Sequence, residues 1–384
     1  MRILVAPDTF KESLTAAEAA RAIARGLQSA LPEAKLDLCP LSDGGEGFVE
    51  TLVQASGGRL DDAPTTDALG RPITASYGVL GDTVAIELSA AAGLAQVPPD
   101  RRNPLDTTTY GVGTLIAEAY ARHAFRSLLL AVGGSATVDG GTGLLEALGV
   151  RFLDASGVPV PRGGGGLRQI DRIDLSDAHP VLREARIRIA VDVTNPLLGS
   201  RGAAPVYGPQ KGASPEDVRE LEAGLANLAD RLEAQTGIRV HDMPGTGAAG
   251  GVAAGLVSLA GARMEPGFEI VAEALGLEAR LRAADWVLTG EGQLDRSSFE
   301  GKVVGRLCER RPQGGMVVIA GRVTPEGEDV LAARGGAAFS LVREPMALEA
   351  AMARAESLIE RTARAIGMLL KRPSGGMLEG QGRA

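Results

Sequence analysis

Three short segments of the chain place lysines or carboxylates beside small, turn-forming residues. They are Asp8–Ser13, Asp43–Gly47 and Thr289–Asp295, and Lys302 follows the third. Each segment comes directly after an apolar run that has the pattern of a β-strand. In parallel α/β sheets ligands bind beyond the carboxyl ends of the strands, so we expect the three segments to converge on one crevice. Such a crevice indicates an enzyme with an anionic substrate.

Lysine is rare in this sequence, which makes its positions informative. Of forty basic residues only five are lysine, and three of these, Lys11, Lys211 and Lys302, stand in turns rich in glycine, proline or carboxylates. An ammonium group is a compact point charge that suits phosphate oxygens, whereas arginine presents a planar fork. The three lysines are therefore candidate anion-binding residues, with chance placement as the alternative.

A glycine-rich loop follows another strand-like run. Leu128–Val132 leads into Gly133–Gly143, and a helical pattern begins at Leu144. Glycines in this position let backbone N–H groups approach phosphate oxygens at a helix N-terminus. The loop also carries the hydroxyl-bearing residues Ser135 and Thr137. We interpret it as a ligand-binding loop, and an ordinary tight strand-to-helix turn is the alternative.

Asp192 lies directly after the apolar run Ile187–Val191, and Asn195 follows three residues later. A carboxylate at a strand end could activate a hydroxyl group or ligate Mg²⁺. The alternative is a structural turn, in which the Asp192 side chain bonds to nearby backbone before Pro196. The residue types fit both interpretations.

Two segments partly match familiar nucleotide-binding patterns, but their contexts exclude both a dinucleotide-binding fingerprint and a P-loop. Pro244–Gly251 contains the spacing GxGxxG, but it follows the polar pair His241-Asp242, and no second parallel strand with a ribose-binding acid comes after it. Gly301-Lys302 is followed by valine, and Arg296 stands where a P-loop would have its first glycine. An ATP site in this protein is therefore expected to lie outside the P-loop class.

Composition narrows the class of protein further. The chain has 384 residues, of which 45% are hydrophobic and 23% charged, which is enough to bury the cores of two domains. A net charge of −8 without a dense basic run argues against nucleic-acid binding. Cys39 and Cys308 lack the spacing of a metal site or a disulfide framework. The uncharged stretch Gly245–Ala262 contains too many glycines for a membrane span. Met1 leads straight into a strand pattern, which argues against a signal peptide. We expect a cytoplasmic protein without membrane or nucleic-acid partners.

Strand and helix patterns alternate at both ends of the chain, in residues 1–62 and 285–370. This alternation is typical of a doubly wound parallel α/β sheet. Between the ends, residues 63–284 mix such patterns with antiparallel pairs, for example around the hairpin turn Gly81-Asp82. The sequence thus predicts one domain built from both chain ends, an inserted mixed α/β domain, and a disordered tail over residues 371–384.

Five segments, in the same order, resemble the bacterial type 1 glycerate kinases. They are Ala6–Ser13, Asp43–Gly47, Gly133–Thr137, Gly208–Gly212 and Thr289–Gly292. The resemblance extends over about residues 1–368. It implies ATP-dependent phosphorylation of D-glycerate, usually at the 2-hydroxyl, with Mg²⁺, and a flavodoxin-like domain made from both chain ends around an inserted domain. Thr194 and Gln293 depart from the family pattern, in which aspartate and arginine are more frequent.

The resemblance and the residue chemistry together suggest roles for specific positions. The expected catalytic residues are Asp192, as the general base, with Lys11, Lys302 and Asp295. The residues expected to bind the nucleotide or the carboxylate of glycerate are Gly133, Gly134, Ser135, Thr137, Gly290, Glu291 and Lys211. Asp43 and Asp295 are expected to hold Mg²⁺. A kinase for another small hydroxy acid and a non-catalytic sensor of an acidic metabolite remain as alternatives, and the oligomeric state, monomer or homodimer, is open.

Overall fold

The computed structural model describes residues 1–10, 12–42, 44–45, 47–311 and 315–371. Two of the predicted site residues, Lys11 and Asp43, lie outside this description, as does nearly all of the predicted tail. Contacts between Cα atoms divide the chain into two compact units. The end unit combines Met1–Leu41 with the chain from Gly276 onward, and the middle unit is Ser42–Leu275.

Strands and α-helices are numbered in chain order. The strands are β1 (Arg2–Val5), β2 (Lys35–Leu38), β3 (Arg59–Thr66), β4 (Pro72–Leu80), β5 (Thr83–Glu87), β6 (Ser127–Ala131), β7 (Arg151–Leu153), β8 (Arg172–Asp174), β9 (Arg186–Ala190), β10 (Arg263–Glu265), β11 (Trp286–Leu294), β12 (Met316–Val323) and β13 (Gly336–Ser340). The helices are α1 (Ala16–Ala30), α2 (Phe48–Ser56), α3 (Ser89–Ala92), α4 (Tyr110–His123), α5 (Thr142–Ala147), α6 (Val181–Glu184), α7 (Ala203–Tyr207), α8 (Pro215–Thr236), α9 (Val252–Ala260), α10 (Gly267–Leu275), α11 (Leu277–Ala283), α12 (Val303–Arg310), α13 (Pro325–Ala332), α14 (Leu348–Ala353) and α15 (Ala355–Leu370).

The end unit is built on a five-stranded sheet in the order β13-β12-β11-β1-β2. All of its neighbouring strands are parallel. Helix α1 begins with the capping box that the sequence predicts, because the Thr15 hydroxyl accepts from the Glu18 N–H and the Glu18 carboxylate accepts from the Thr15 N–H. Helices α1 and α15 pack closely, since a β-carbon on Gly26 would collide with the carbonyl oxygen of Glu360.

The middle unit is built on a six-stranded mixed sheet in the order β10-β9-β6-β5-β4-β3. Strands β5, β6, β9 and β10 run parallel to one another, whereas β3 pairs with β4 and β4 pairs with β5 in antiparallel fashion. The predicted hairpin at Gly81-Asp82 is confirmed, because these residues join β4 to β5 and Leu80 pairs with Thr83. The chain is therefore a mixed α/β protein with parallel sheets, as expected.

The division between the units differs from the boundaries predicted at residues 62/63 and 284/285. A boundary at residue 62 would cut β3, which pairs along its whole length with β4. Helix α2 packs on β4, where the missing side chain of Gly78 leaves room for Val49 and Val53. Helix α11 instead belongs with the end unit, where Arg280 forms an ion pair with Asp37 at 2.5 Å. The strand–helix pattern of residues 36–56 looked continuous, but tertiary packing assigns α2 to the other sheet.

Within the described residues, no helix combines the length and the apolar character that a membrane crossing requires.

Candidate active site

The four parallel strands of the middle unit end at the same level. Their last residues stand side by side in the sheet, because Glu87 pairs with Ala131, Ala131 with Ala190, and Ala190 with Glu265. The segments that follow these strands therefore leave the sheet along a single edge, which we call the carboxyl edge. This is the edge of a parallel sheet at which ligands bind.

The glycine pair Gly44-Gly45 lies against this carboxyl edge. A β-carbon on Gly44 would lie 2.7 Å from Oδ2 of Asp192 and 2.8 Å from Cα of Gly267. Gly44 has a φ of +96°, which side-chain-bearing residues rarely adopt, so both conformation and space require glycine there. Gly45 lies beside Gly133, because a β-carbon on Gly133 would be 3.8 Å from the Cα of Gly45. Three predicted segments thus meet around the ends of β6 and β9.

Asp192 follows β9 and is exposed to solvent. Its Oδ1 accepts a hydrogen bond of 3.0 Å from the backbone N–H of Gly267, the first residue of α10. The N-terminus of a helix carries partial positive charge, so this contact favours a carboxylate in a fixed position. Asp192 is therefore an accessible, oriented carboxylate, which suits either a proton acceptor or a ligand to a cation.

A small cavity of about 160 Å³ opens beside Asp192, between the ends of β9 and β10. Most of its wall is apolar. It is lined by Val191, Val193, Thr194, Pro244, Gly245, Met264, Glu265 and Pro266. The carboxylate of Glu265 is held by Arg188, whose Nη2 lies 2.6 Å from Oε2.

The loop that follows β6 has an open side and a buried side. Gly133 and Gly134 are exposed, whereas Ser135 and Thr137 are buried. The ammonium of Lys211 lies on the buried side and donates hydrogen bonds of 2.7 Å to the Ser135 hydroxyl and to the Thr137 carbonyl oxygen. Only 2% of Lys211 is exposed. The sequence predicts a lysine that contacts the ligand, but in the structure Lys211 contacts the loop.

Two buried charged residues, Lys211 and Asp139, hold this loop in place on its buried side. Burial lowers the pKa of Lys211 to about 7, and the negative charge of Asp139 opposes that shift. Burial likewise raises the pKa of Asp139, while hydrogen bonds from the N–H groups of Thr109, Gly141 and Gly143 lower it. All of the contacts to Asp139 come from donors, including the Thr109 hydroxyl at 2.8 Å, and this geometry suits an ionised carboxylate. The carboxylate in this loop therefore fixes the start of α5 instead of facing a ligand.

The glycine-rich segment Pro244–Gly251 packs against the backbone of its neighbours. The N–H groups of Gly245 and Gly247 donate to the carbonyl oxygen of Asn195 at 3.1 and 3.0 Å. A β-carbon on Gly247 would collide with the Pro196 carbonyl oxygen, and one on Gly250 with that of Thr137. These glycines permit close approach between backbone segments, which agrees with excluding a dinucleotide-binding role.

Glu87 is a residue of this edge that the sequence analysis missed. It ends β5, and its Oε1 accepts a hydrogen bond of 3.1 Å from the Val49 N–H in the first turn of α2. Burial raises the pKa of Glu87, and the hydrogen bonds from α2 oppose this shift. The carboxylate fixes the helix that begins directly after Gly47. A carboxylate at a strand end was the available signal, and it is the same signal that singled out Asp192.

In the end unit, the predicted site residues Asp295 and Lys302 lie close together after β11. The carboxylate of Asp295 accepts hydrogen bonds from the Ser297 hydroxyl at 2.6 Å and from the Gln293 amide at 2.7 Å. These bonds, with the Ser297 one the strongest, lower the pKa of Asp295. The ammonium of Lys302 donates to the same Ser297 hydroxyl at 2.9 Å. Asp295 and Lys302 are thus linked through one serine.

Gly290 and Glu291 lie within β11, beside the segment that follows β1. The N–H of Asp8 donates to the carbonyl oxygen of Gly290 at 2.8 Å, and a β-carbon on Gly290 would lie 3.0 Å from the ring of Phe10. Glu291 is 8% exposed. The structure therefore brings the segments after β1 and β11 together, as expected for adjacent parallel strands.

Among the described residues, no group of three or more histidine, cysteine or acidic side chains could enclose a metal ion. Mg²⁺ often needs only one or two carboxylates beside substrate phosphates and water. Asp295 accepts hydrogen bonds on both oxygens but retains acceptor capacity, so it fits such a site.

The sequence profile described as "Glycerate kinase family" matches residues 3–371 of the chain. The chain belongs to the glycerate kinase family. The glycerate kinase of Halalkalibacterium halodurans is 42% identical over 96% of this chain and 97% of its own length. The glycerate 2-kinase of Escherichia coli is 44% identical over 79% of this chain and 80% of its own. The crystal structure of a protein described as "putative glycerate kinase 2" from Salmonella typhimurium LT2 superposes with a TM-score of 0.87. The two sequences are 42% identical, and the match covers 96% of this chain and 98% of that one.

Both departures from the expected family pattern now have a location. Thr194 lines the cavity beside Asp192. Gln293 donates its amide hydrogen to Asp295 and so occupies one of that carboxylate's acceptor sites. An arginine at position 293 would pair with Asp295 through charge, whereas glutamine pairs with it as a neutral donor.

Proposed function

We propose that this member of the glycerate kinase family transfers the γ-phosphoryl group of ATP to a hydroxyl of D-glycerate, giving ADP and phosphoglycerate. The family profile and the names of the curated relatives support this activity. The name of the Escherichia coli relative, glycerate 2-kinase, supports the 2-hydroxyl as the acceptor, and thus 2-phosphoglycerate as the product. The observation that carries the proposal is the meeting of Gly44, Gly133 and Asp192 on one carboxyl edge.

We also propose the predicted architecture, in which a flavodoxin-like domain made from both chain ends holds an inserted mixed α/β domain. The strand order of the end unit supports it, because β2-β1-β11-β12-β13 corresponds to the order 2-1-3-4-5 of flavodoxin-like sheets. The inserted domain would correspond to the middle unit, whose sheet contains antiparallel pairs.

In the middle unit, Asp192 is the proposed general base. Its exposed carboxylate would accept the proton of the attacking hydroxyl as the bond from oxygen to phosphorus forms and the bond to ADP breaks. The exposed backbone of Gly133 and Gly134 is proposed to bind anionic oxygens of the nucleotide or of glycerate. Ser135 and Thr137 belong to the same loop, and Lys211 holds it in place.

In the end unit, the proposed groups are those gathered after β11. Lys302 would offset phosphate charge, together with Lys11, and Asp295 would hold Mg²⁺, together with Asp43. Gly290 and Glu291 are proposed to contact the nucleotide. When bound, Mg²⁺ would neutralise charge on the transferring phosphates. The reaction partners are small molecules, and we propose a cytoplasmic location.

A coupled assay for ADP tests this function. Purified protein with Mg²⁺ and ATP should form ADP only when D-glycerate is added, and ³¹P NMR of the product should show 2-phosphoglycerate. Activity with another small hydroxy acid, and none with D-glycerate, would mean that this other acid is the substrate. Binding of acidic metabolites without any ADP formation would favour the non-catalytic sensor.

A further inference from the structure

We infer that Lys211 acts on the bound anion through the hydroxyl of Ser135, so that Ser135 donates the hydrogen bond to an anionic oxygen and Lys211 never touches the ligand. This inference rests on the proposed function. It makes Lys211 a positioning residue, and it makes Ser135 the side chain through which the charge of Lys211 acts on the bound anion.

The direction of the hydrogen bonds follows from the chemistry of the two side chains. An ammonium group has three donors and no acceptor, so the Ser135 oxygen must accept at the 2.7 Å contact with Lys211. The proton of the Ser135 hydroxyl is then directed away from Lys211. Ser135 directly follows Gly133 and Gly134, which are exposed. The free proton of the hydroxyl is thus available to a ligand held by the backbone of these glycines.

A hydroxyl that accepts from a cation is a stronger donor than one that does not. Hydrogen bonds with one charged partner are shorter and stronger, and each bond in a chain polarises the next. Lys211 is 2% exposed, so water does not screen its charge from Ser135. The second contact of Lys211, to the Thr137 carbonyl oxygen at 2.7 Å, fixes the ammonium beside Ser135.

The charge on Lys211 has a partner of opposite sign. Asp139 is fully buried, and its attraction for the ammonium opposes the effect of burial on the pKa of Lys211. A bound phosphate or carboxylate would add a second negative charge and favour the ammonium form further. The arrangement suits the binding of an anion at this loop, and Lys211 needs no route to solvent to contribute.

Two roles for Lys211 predict different behaviour of the variants. As a structural brace, Lys211 would only hold the loop in place, whereas as a relay it would act on the ligand through the Ser135 hydroxyl. A brace would hold the loop through both of its contacts, so Lys211→Met would weaken ligand binding more than Ser135→Ala does, and the double variant would bind more weakly than Ser135→Ala alone. A relay would make the effects of the two substitutions on ligand affinity non-additive. Lys211→Met would then weaken ligand binding only through the Ser135 hydroxyl, which the double variant lacks. Direct contact of Lys211 with the ligand would leave Ser135→Ala nearly without effect.

The experiment is a double-mutant cycle with Ser135→Ala, Lys211→Met and the double variant. Affinities for a non-hydrolysable ATP analogue with Mg²⁺ and for D-glycerate are measured separately by calorimetry, together with KM and kcat. We expect Ser135→Ala to weaken one of the two ligands by about tenfold or more, the range for a lost bond to a charged group. The double variant should bind that ligand no more weakly than Ser135→Ala does. The ligand affected tells whether phosphate or carboxylate oxygen lies at Ser135.

A matched control is Ser258→Ala in α9. That hydroxyl is equally buried and has no hydrogen-bond partner among the described residues, so its removal should leave both affinities unchanged. If Lys211→Met fails to fold, Ser135→Ala still tests whether the hydroxyl contacts the ligand, because it keeps the lysine, and Lys211→Arg takes the place of Lys211→Met in the cycle. Affinities of Ser135→Ala equal to wild type for both ligands, or a double variant that binds more weakly than Ser135→Ala, would overturn the inference.

Discussion

Two glycine-rich loops of the middle unit have similar compositions and different environments. Gly133 and Gly134 are exposed on the carboxyl edge, where a β-carbon on Gly133 would meet nothing closer than 3.8 Å. Gly247 and Gly250 face the backbone of Pro196 and Thr137 at contact distance. The loop without a named motif is the one open to a ligand, whereas the GxGxxG spacing serves packing. Glycine permits close approach of any backbone or ligand atom, so the pattern alone does not tell which one approaches.

The largest effect is expected from Gly250→Ala. Gly250 has a φ of +69°, and its β-carbon would collide with the Thr137 carbonyl oxygen, so the backbone of two loops must shift. We expect the free energy of unfolding to fall by about 3 kcal/mol or more, from conformational strain and overpacking together. Chemical denaturation measures this loss. A variant as stable as wild type would show that the two loops are not packed backbone to backbone.

An effect that depends on pH, and that is smaller for each pH unit, is expected from Lys211→Met. The pKa of Lys211 is lowered from 10.5 to about 7 in the folded protein, so between these values the unfolded chain binds the extra proton. The cost of burying the ammonium is therefore fully present below pH 7 and is relieved as pH rises. The stability of wild type relative to Lys211→Met should increase with pH by up to about 1.4 kcal/mol per unit in this window.

Because the prediction is a difference in stability between wild type and Lys211→Met, the contributions of other titratable groups to the pH dependence cancel. Burial raises the pKa of Cys39 and of Cys308 to about 11, so both thiols lower stability at high pH in wild type and variant alike. Denaturation curves at several pH values above 7 give the difference directly. A difference that does not change with pH would mean that Lys211 keeps an ordinary pKa in the fold.

The smallest effect on stability is expected from Gly133→Ala. The added methyl group has space and the backbone there needs no positive φ, so the free energy of unfolding should change by less than about 1 kcal/mol. Ligand affinity should nevertheless fall by about tenfold, because the methyl group hinders an anion from reaching the backbone N–H groups. Calorimetry with the ATP analogue and with D-glycerate checks this. Unchanged affinity for both would remove the loop from the site.

The sequence predicted those parts of the molecule that depend on local chemistry. The capping box of α1, the hairpin between β4 and β5, and the position of Asp192 after a strand all follow from residues close together in the chain. The exclusion of a dinucleotide fingerprint at Pro244–Gly251 also agrees with the packing of that segment.

What the sequence did not predict depends on tertiary neighbours. Helix α2 has the same amphipathic pattern whichever sheet it covers, so contacts made in the folded chain, such as that with Gly78 on β4, assign it to the middle unit. Lys211 stands in a turn rich in glycine and proline, which is typical of the surface, yet it is buried beneath a loop some seventy residues earlier in the chain. The contact of Glu87 with α2 arises from the placement of that helix at the end of β5.

The central claim is that the carboxyl edge of the middle unit carries the chemistry, with Asp192 as the base. Asp192→Asn keeps an oxygen that can accept from the Gly267 N–H but loses the ability to take a proton. The account predicts that kcat for ADP formation with D-glycerate falls by about 10² or more, while thermal stability stays near wild type. Asp242→Asn, an exposed aspartate of the same unit with 77% side-chain exposure, should retain full activity. An Asp192→Asn enzyme that turns over within about threefold of wild type would contradict the account and move the base elsewhere.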